Sequence, residues 1–94
     1  MAIETFEYNP FDELLSESDI PQYLLDAASD DDPNRFVVAL GNVIKHKGVA
    51  NIARASGLNR ESLYKLTREP IRQPRWDTVH KIFKALGIKI QVVA

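Results

Sequence analysis

Ninety-four residues exclude anything beyond one small domain, and a composition of 45% hydrophobic and 27% charged residues is that of a chain able to fold around a modest core. With no cysteine, disulfides, Cys-based zinc centres and thiol catalysis are excluded together. The formal net charge of −1 hides a division: residues 1–34 carry ten acids and no Lys or Arg, whereas residues 35–94 carry twelve bases against Glu61, Glu69 and Asp77.

Such a division arises either from two solvated faces that attract each other, or from a basic part that binds a polyanion and an acidic part that binds a basic protein or keeps the chain soluble. Residues 1–17 form the acidic arm. Phe6, Tyr8, Phe11, Leu14 and Leu15, set among acids such as Asp12 and beside Pro10, show neither strand alternation nor a long helical stripe. An extended arm is expected, with its aromatics against the core or a partner, since leaving them in water is unfavourable.

The folded domain is expected over residues 18–94. A first helix is predicted for residues 19–29, with Ser18 as N-cap, Pro21 in the first turn, and Ile20, Tyr23, Leu24 and Ala27 or Ala28 as its apolar face. Asp30, Asp31, Asp32 and Pro33 then break the chain and start a second helix, residues 33–47, with Asp32 as N-cap. Its stripe is Phe36, Val37, Leu40, Val43 and Ile44, with Lys45, His46 and Lys47 at the negative end of the helix dipole and Gly48 as its stop.

The segment VANIARASGLNRESLYKLTR, residues 49–68, predicts two short helices joined by a Gly-containing turn, the pattern of a helix-turn-helix unit. Ile52, Leu58, Leu63 and Leu66 supply the apolar packing, Ala53 is small where the second helix crosses, and Gly57 accepts the turn. Asn59 caps the second helix, residues 59–67, and its outward positions are Asn59, Arg60, Glu61, Ser62, Tyr64, Lys65 and Arg68. Those side chains suit a face read into the major groove: Arg and Lys match guanine acceptors and Asn matches adenine. An ordinary packed hairpin with a solvated polar face would show the same alternation.

Residues 69–75 hold Pro70 and Pro74 together with Arg72 and Arg75 after Arg68, which predicts a semi-rigid loop either touching phosphates or merely solvated. A last helix is predicted for residues 76–86, with Val79, Ile82, Phe83 and Leu86 inward, Lys81 and Lys84 outward, and Trp76 a core or hinge aromatic. The β-branched run over residues 88–93 predicts a strand, whose unpaired backbone would pair with a second copy or a partner's sheet edge through Ile88, Ile90 and Val92. His46 and His80 lie in no catalytic or metal-ligating context, and the four glycines form no phosphate-cradling loop, so neither an enzyme nor a cofactor is expected. No apolar run approaches a membrane span and the start lacks the pattern of a signal peptide, so the expected location is the cytoplasm.

The acidic arm with Phe11-Asp12, the segments IPQYLLDAA and DDPNRFVVALGNVIKHKG, the hairpin IARASGLNRESLYK, the Arg/Pro loop and WDTVHKIFKALG closely resemble the HigA-like helix-turn-helix addiction-module antitoxins from about residue 11 to residue 92. That family often carries Gly and Asn before the aromatic of the last helix, where Ile71, Arg72, Gln73 and Pro74 stand here. The resemblance implies an all-α, five-helix fold of the lambda-repressor or Cro type, with an acidic N-terminal arm and a short C-terminal β-strand. It also implies a homodimer that represses its own operon on an inverted repeat and neutralises a small RelE- or HigB-like toxin. Carried over by position, the base readers are Asn59, Arg60, Ser62, Tyr64 and Lys65, and the phosphate contacts are Arg54, Arg68, Arg72 and Arg75. A basic, RNA-binding toxin would be complemented by the acidic segment holding Phe6, Tyr8, Phe11, Asp12, Leu14, Leu15, Tyr23 and Leu24. A stand-alone regulator of the phage-repressor type and a pure protein-interaction module remain the alternatives.

Overall fold

The computed structural model describes residues 16–90. Five α-helices follow one another: α1 (Ile20–Ala28), α2 (Pro33–Lys47), α3 (Val49–Ser56), α4 (Arg60–Leu66) and α5 (Trp76–Ala85), with a 3-10 turn, Glu17–Asp19, leading into α1. The described residues contain no strand, and no helix is long and apolar enough to cross a membrane.

The 3-10 turn that leads into α1 is capped two residues before Ser18, and α1 itself follows Asp19. The backbone N–H and hydroxyl of Ser16 both donate to Oδ2 of Asp19, at 3.2 and 2.8 Å, so Ser16 is the capping residue. Those two hydrogen bonds, the hydroxyl's first, hold the Asp19 carboxyl below the usual carboxylate range. Glu17 accepts an ion pair from Lys47 Nζ at 2.7 Å. Ser16 and Glu17 are thereby tied to the start of α1 and to the end of α2.

α2 starts where Asp32 Oδ1 accepts the Asn34 N–H at 3.0 Å, with Pro33 in its first position. It is the central element, packed against α1, α3 and α4. Val37, Ala39, Leu40, Gly41, Val43 and Ile44 are buried along it. They meet Ile20 and Leu24 of α1, Ile52 of α3, Leu63 and Leu66 of α4, and Val79 and Ile82 of α5 in one core. Each fully buried Leu or Ile there contributes about 1.5–3 kcal/mol relative to exposure.

The end of α5 explains why the expected strand is absent over residues 88–90. Gly87, at φ 76°, donates its N–H to Lys84 O at 3.1 Å, and Ile88 donates to Phe83 O at 2.9 Å. This paired 6→1 and 5→2 closure is a Schellman motif, and the Ile88 side chain packs against the core as that motif requires of its last residue. The β-branched alternation therefore begins inside a helix cap. Residues 91–93, including Val92, lie outside the described residues.

One contact sets how close α2 and α4 approach. A Cβ built on Gly41 would fall inside contact distance of the Leu66 carbonyl oxygen and 3.3 Å from Thr67 Cα. Both obstacles are backbone and cannot rotate aside. Gly41→Ala should thus destabilise the fold by about 1–3 kcal/mol through overpacking, although alanine in an open helix would gain about 1 kcal/mol over glycine. Urea titration followed by circular dichroism measures it, and a midpoint equal to or above that of the parent chain would refute the backbone contact as the determinant.

Candidate nucleic-acid interface

The hairpin α3–α4 turns through Gly57, Leu58 and Asn59. Gly57 has φ 81°, a left-handed conformation that β-carbon-bearing residues rarely adopt, and its N–H closes α3 onto Ala53 O at 3.0 Å. Leu58 then donates its N–H to Ser56 Oγ at 3.1 Å, and the Asn59 Oδ1 accepts the Ser62 N–H at 2.8 Å to cap α4. Asn59 is therefore engaged with its own helix through its acceptor oxygen.

Two rows of side chains divide α4. Leu63 and Leu66 are buried beneath it, while Arg60, Glu61, Tyr64 and Lys65 are exposed and Ser62 is half-buried. Glu61, Tyr64 and Lys65 recur at i, i+3 and i+4, the spacing of one helical face, and Arg68 lies two residues beyond the end of α4. Arg68 Nη2 reaches back two turns to Glu61 Oε2 at 3.1 Å, which fixes both ends of that face on the same side. Beyond it, Lys65, Arg68 and Arg72 line one shallow depression with Glu69 and Pro70. Three of the predicted cations thus converge.

Arg54 and Arg75 belong to other elements and do not line that depression. Arg54 Nη2 donates to Asn51 Oδ1 at 2.6 Å on α3, and Asn51 in turn donates to Lys47 O at 2.8 Å. Arg75 stands 3.5 Å from Asp77 at the start of α5. The loop between α4 and α5 is moored to the start of α2, where Gln73 Nε2 donates to Asn34 Oδ1 at 2.8 Å.

Of the acidic-side candidates, Phe6, Tyr8, Phe11, Asp12, Leu14 and Leu15 lie outside the described residues. Tyr23 is half-buried, and its hydroxyl accepts from Asn42 Nδ2 at 3.1 Å. Leu24 is 2% exposed and belongs to the core, where the inward stripe of α1 carries it against α2. Leu25, the next residue, is the exposed apolar side chain of α1. At the C-terminus Ile88 is half-buried and Ile90 exposed. Trp76 is 63% exposed rather than a core aromatic, because it is the first residue of α5, one turn before Val79 reaches the core. Its ring lies 6.2 Å from that of His80, which is also exposed. Among the described residues, no group of three His, Asp or Glu side chains could hold a metal ion.

Two residues of the site escape a residue-by-residue reading of the sequence. Gly41 looks like a weak point in a helix, and only the meeting with Leu66 makes it a spacer under α4. Glu61 stands on the outward face where the sequence puts it, but its pairing with Arg68 is not visible one residue at a time. Its signal was present in the i, i+7 spacing to Arg68.

A protein family described as probable addiction module antidote protein matches residues 4–94. An uncharacterized protein of Haemophilus influenzae is 33% identical over 92 residues, spanning 98% of this chain and 94% of the relative. No solved structure matches the chain. With nearly its whole length matched, the chain belongs to the family of probable addiction module antidote proteins.

Proposed function

We propose that this chain is the antitoxin of a type II toxin-antitoxin module, of the HigA-like kind. In this reading α3 and α4 are a helix-turn-helix unit that binds operator DNA and represses the chain's own operon. The acidic N-terminal segment neutralises a small basic toxin of the RelE or HigB type. The observation that supports it most is the two-sided α4: Leu63 and Leu66 anchor it while Tyr64, Lys65 and Arg68 face outward next to Arg72. A helix held by its apolar underside can enter a major groove without unfolding. Base edges meet its first residues and phosphates meet the arginines that flank it.

A homodimer suits this role, since a two-fold pair of such helices would stand about 34 Å apart, one turn of duplex. The toxin side rests on charge: ten acids without a single base over residues 1–34 complement a protein that itself binds RNA. Family membership supports the antidote role and leaves the partner's identity to chemistry.

Arg60→Ala combined with Lys65→Ala removes two exposed side chains that the core does not use. The double variant should lose about 2–6 kcal/mol of sequence-specific DNA binding, taking about 1–3 kcal/mol per base contact, with unchanged helix content and toxin neutralisation. Footprinting on the chain's own promoter is the measurement, and protection equal to that of the parent protein would discard α4 as the reading helix. Removing residues 1–15, which spares Ser16 and Glu17 with their partners, should weaken growth rescue in coexpression with the toxin far more than it weakens a mobility shift. Equal losses in both assays would show instead that the arm supports the fold.

A further inference from the structure

The outward face of α4 contains one residue that works against binding a polyanion. Glu61 is exposed in the first turn of α4, and its Oε2 holds Arg68 Nη2 at 3.1 Å, with Tyr64 and Lys65 between them on the same face. The two side chains are 57% exposed for Arg68 and 68% for Glu61. A pair so open to water adds little to stability. The fold does not need it, and towards a duplex it has two costs: the carboxylate repels phosphate, and the guanidinium is occupied.

We infer that Glu61 is a selectivity residue of the DNA face, holding Arg68 in the free protein and demanding a cytosine amino group opposite α4 when duplex is bound. The inference rests on the reading of α4 as the DNA helix. An ionised carboxylate only accepts hydrogen bonds. In the major groove it is matched by the cytosine N4 amine, whereas guanine N7 and O6, and thymine O4, would set acceptor against acceptor. Adenine offers the N6 amine beside the N7 acceptor, so the second carboxylate oxygen is opposed there. Engagement of the amine lets go of Arg68, which then reaches a phosphate. At a wrong site the carboxylate is unmatched and Arg68 stays bound to it.

The test uses the full chain and Glu61→Gln in parallel selections from a random-sequence duplex pool, with affinities read as a function of salt. The parent protein should select cytosine at one position of each half-site. Glu61→Gln should reduce that preference about tenfold, bind random duplex roughly three- to tenfold more tightly, and show a log–log salt slope steeper by up to about one. Arg68→Ala should weaken cytosine-bearing duplexes, where the arginine reaches a phosphate, more than others, and so narrow the cytosine preference without abolishing it. Glu61→Gln selecting cytosine as strongly as the parent would overturn the inference and leave the DNA reading intact. So would loss of the preference in Arg68→Ala, since that would assign it to the arginine. Failure of the parent protein to bind any duplex overturns both.

Discussion

The fold depends on a backbone-to-backbone approach: α2 passes the end of α4 at Gly41 with no side chain between them. Helices packed through side chains sit about 8–10 Å apart, and here the glycine removes the spacer at one point. With Leu40, Val43 and Ile44 fully buried around it, α2 acts as a fixed rail on which α4 is set. The orientation of the outward face is thus decided on its inner side. Leu63 fixes its rotation, Gly41 its depth, and the Asn59 cap its starting point.

That arrangement separates what must be rigid from what can be exchanged. Glu61, Tyr64, Lys65 and Arg68 hang from a helix whose position they do not determine, so substitutions there change chemistry without moving the backbone. The loop carrying Arg72 is similarly restrained, by Gln73 on Asn34 rather than by its own arginines. The acidic half packs on the basic half through the contact of α1 with α2, and the Glu17–Lys47 ion pair adds a charged link at its edge. Most of the negative charge of residues 16–34 remains on exposed side chains, in keeping with a surface that faces a partner.

Local chemistry was legible wherever a signal was self-contained. Asp32-Pro33 and Gly48 bracket α2 at the residues where it begins and ends, and Gly57 with Asn59 marks the turn into α4. Two serines stand before Asp19, and only the three-residue spacing of a capping box distinguishes Ser16 from Ser18. Over residues 88–90 the β-branched run does not open as a strand because a Schellman closure reaches one residue beyond the glycine and recruits Ile88. Leu24 and Tyr23 share a helical face, and burial depends on how α1 meets α2, which periodicity alone does not state. For the candidate site, the outward and inward rows of α4 could be read in advance. The convergence of Lys65, Arg68 and Arg72, apart from Arg54 and Arg75, required the third dimension.

Trp76 is the chain's single tryptophan, and its indole stands largely in water at the head of α5, next to the Arg-bearing loop. Unfolding would part the indole from His80 and wet it further, whereas a macromolecule settling over that loop would strip solvent from the ring. The native protein consequently carries an optical reporter whose response to being covered runs opposite to its response to denaturation.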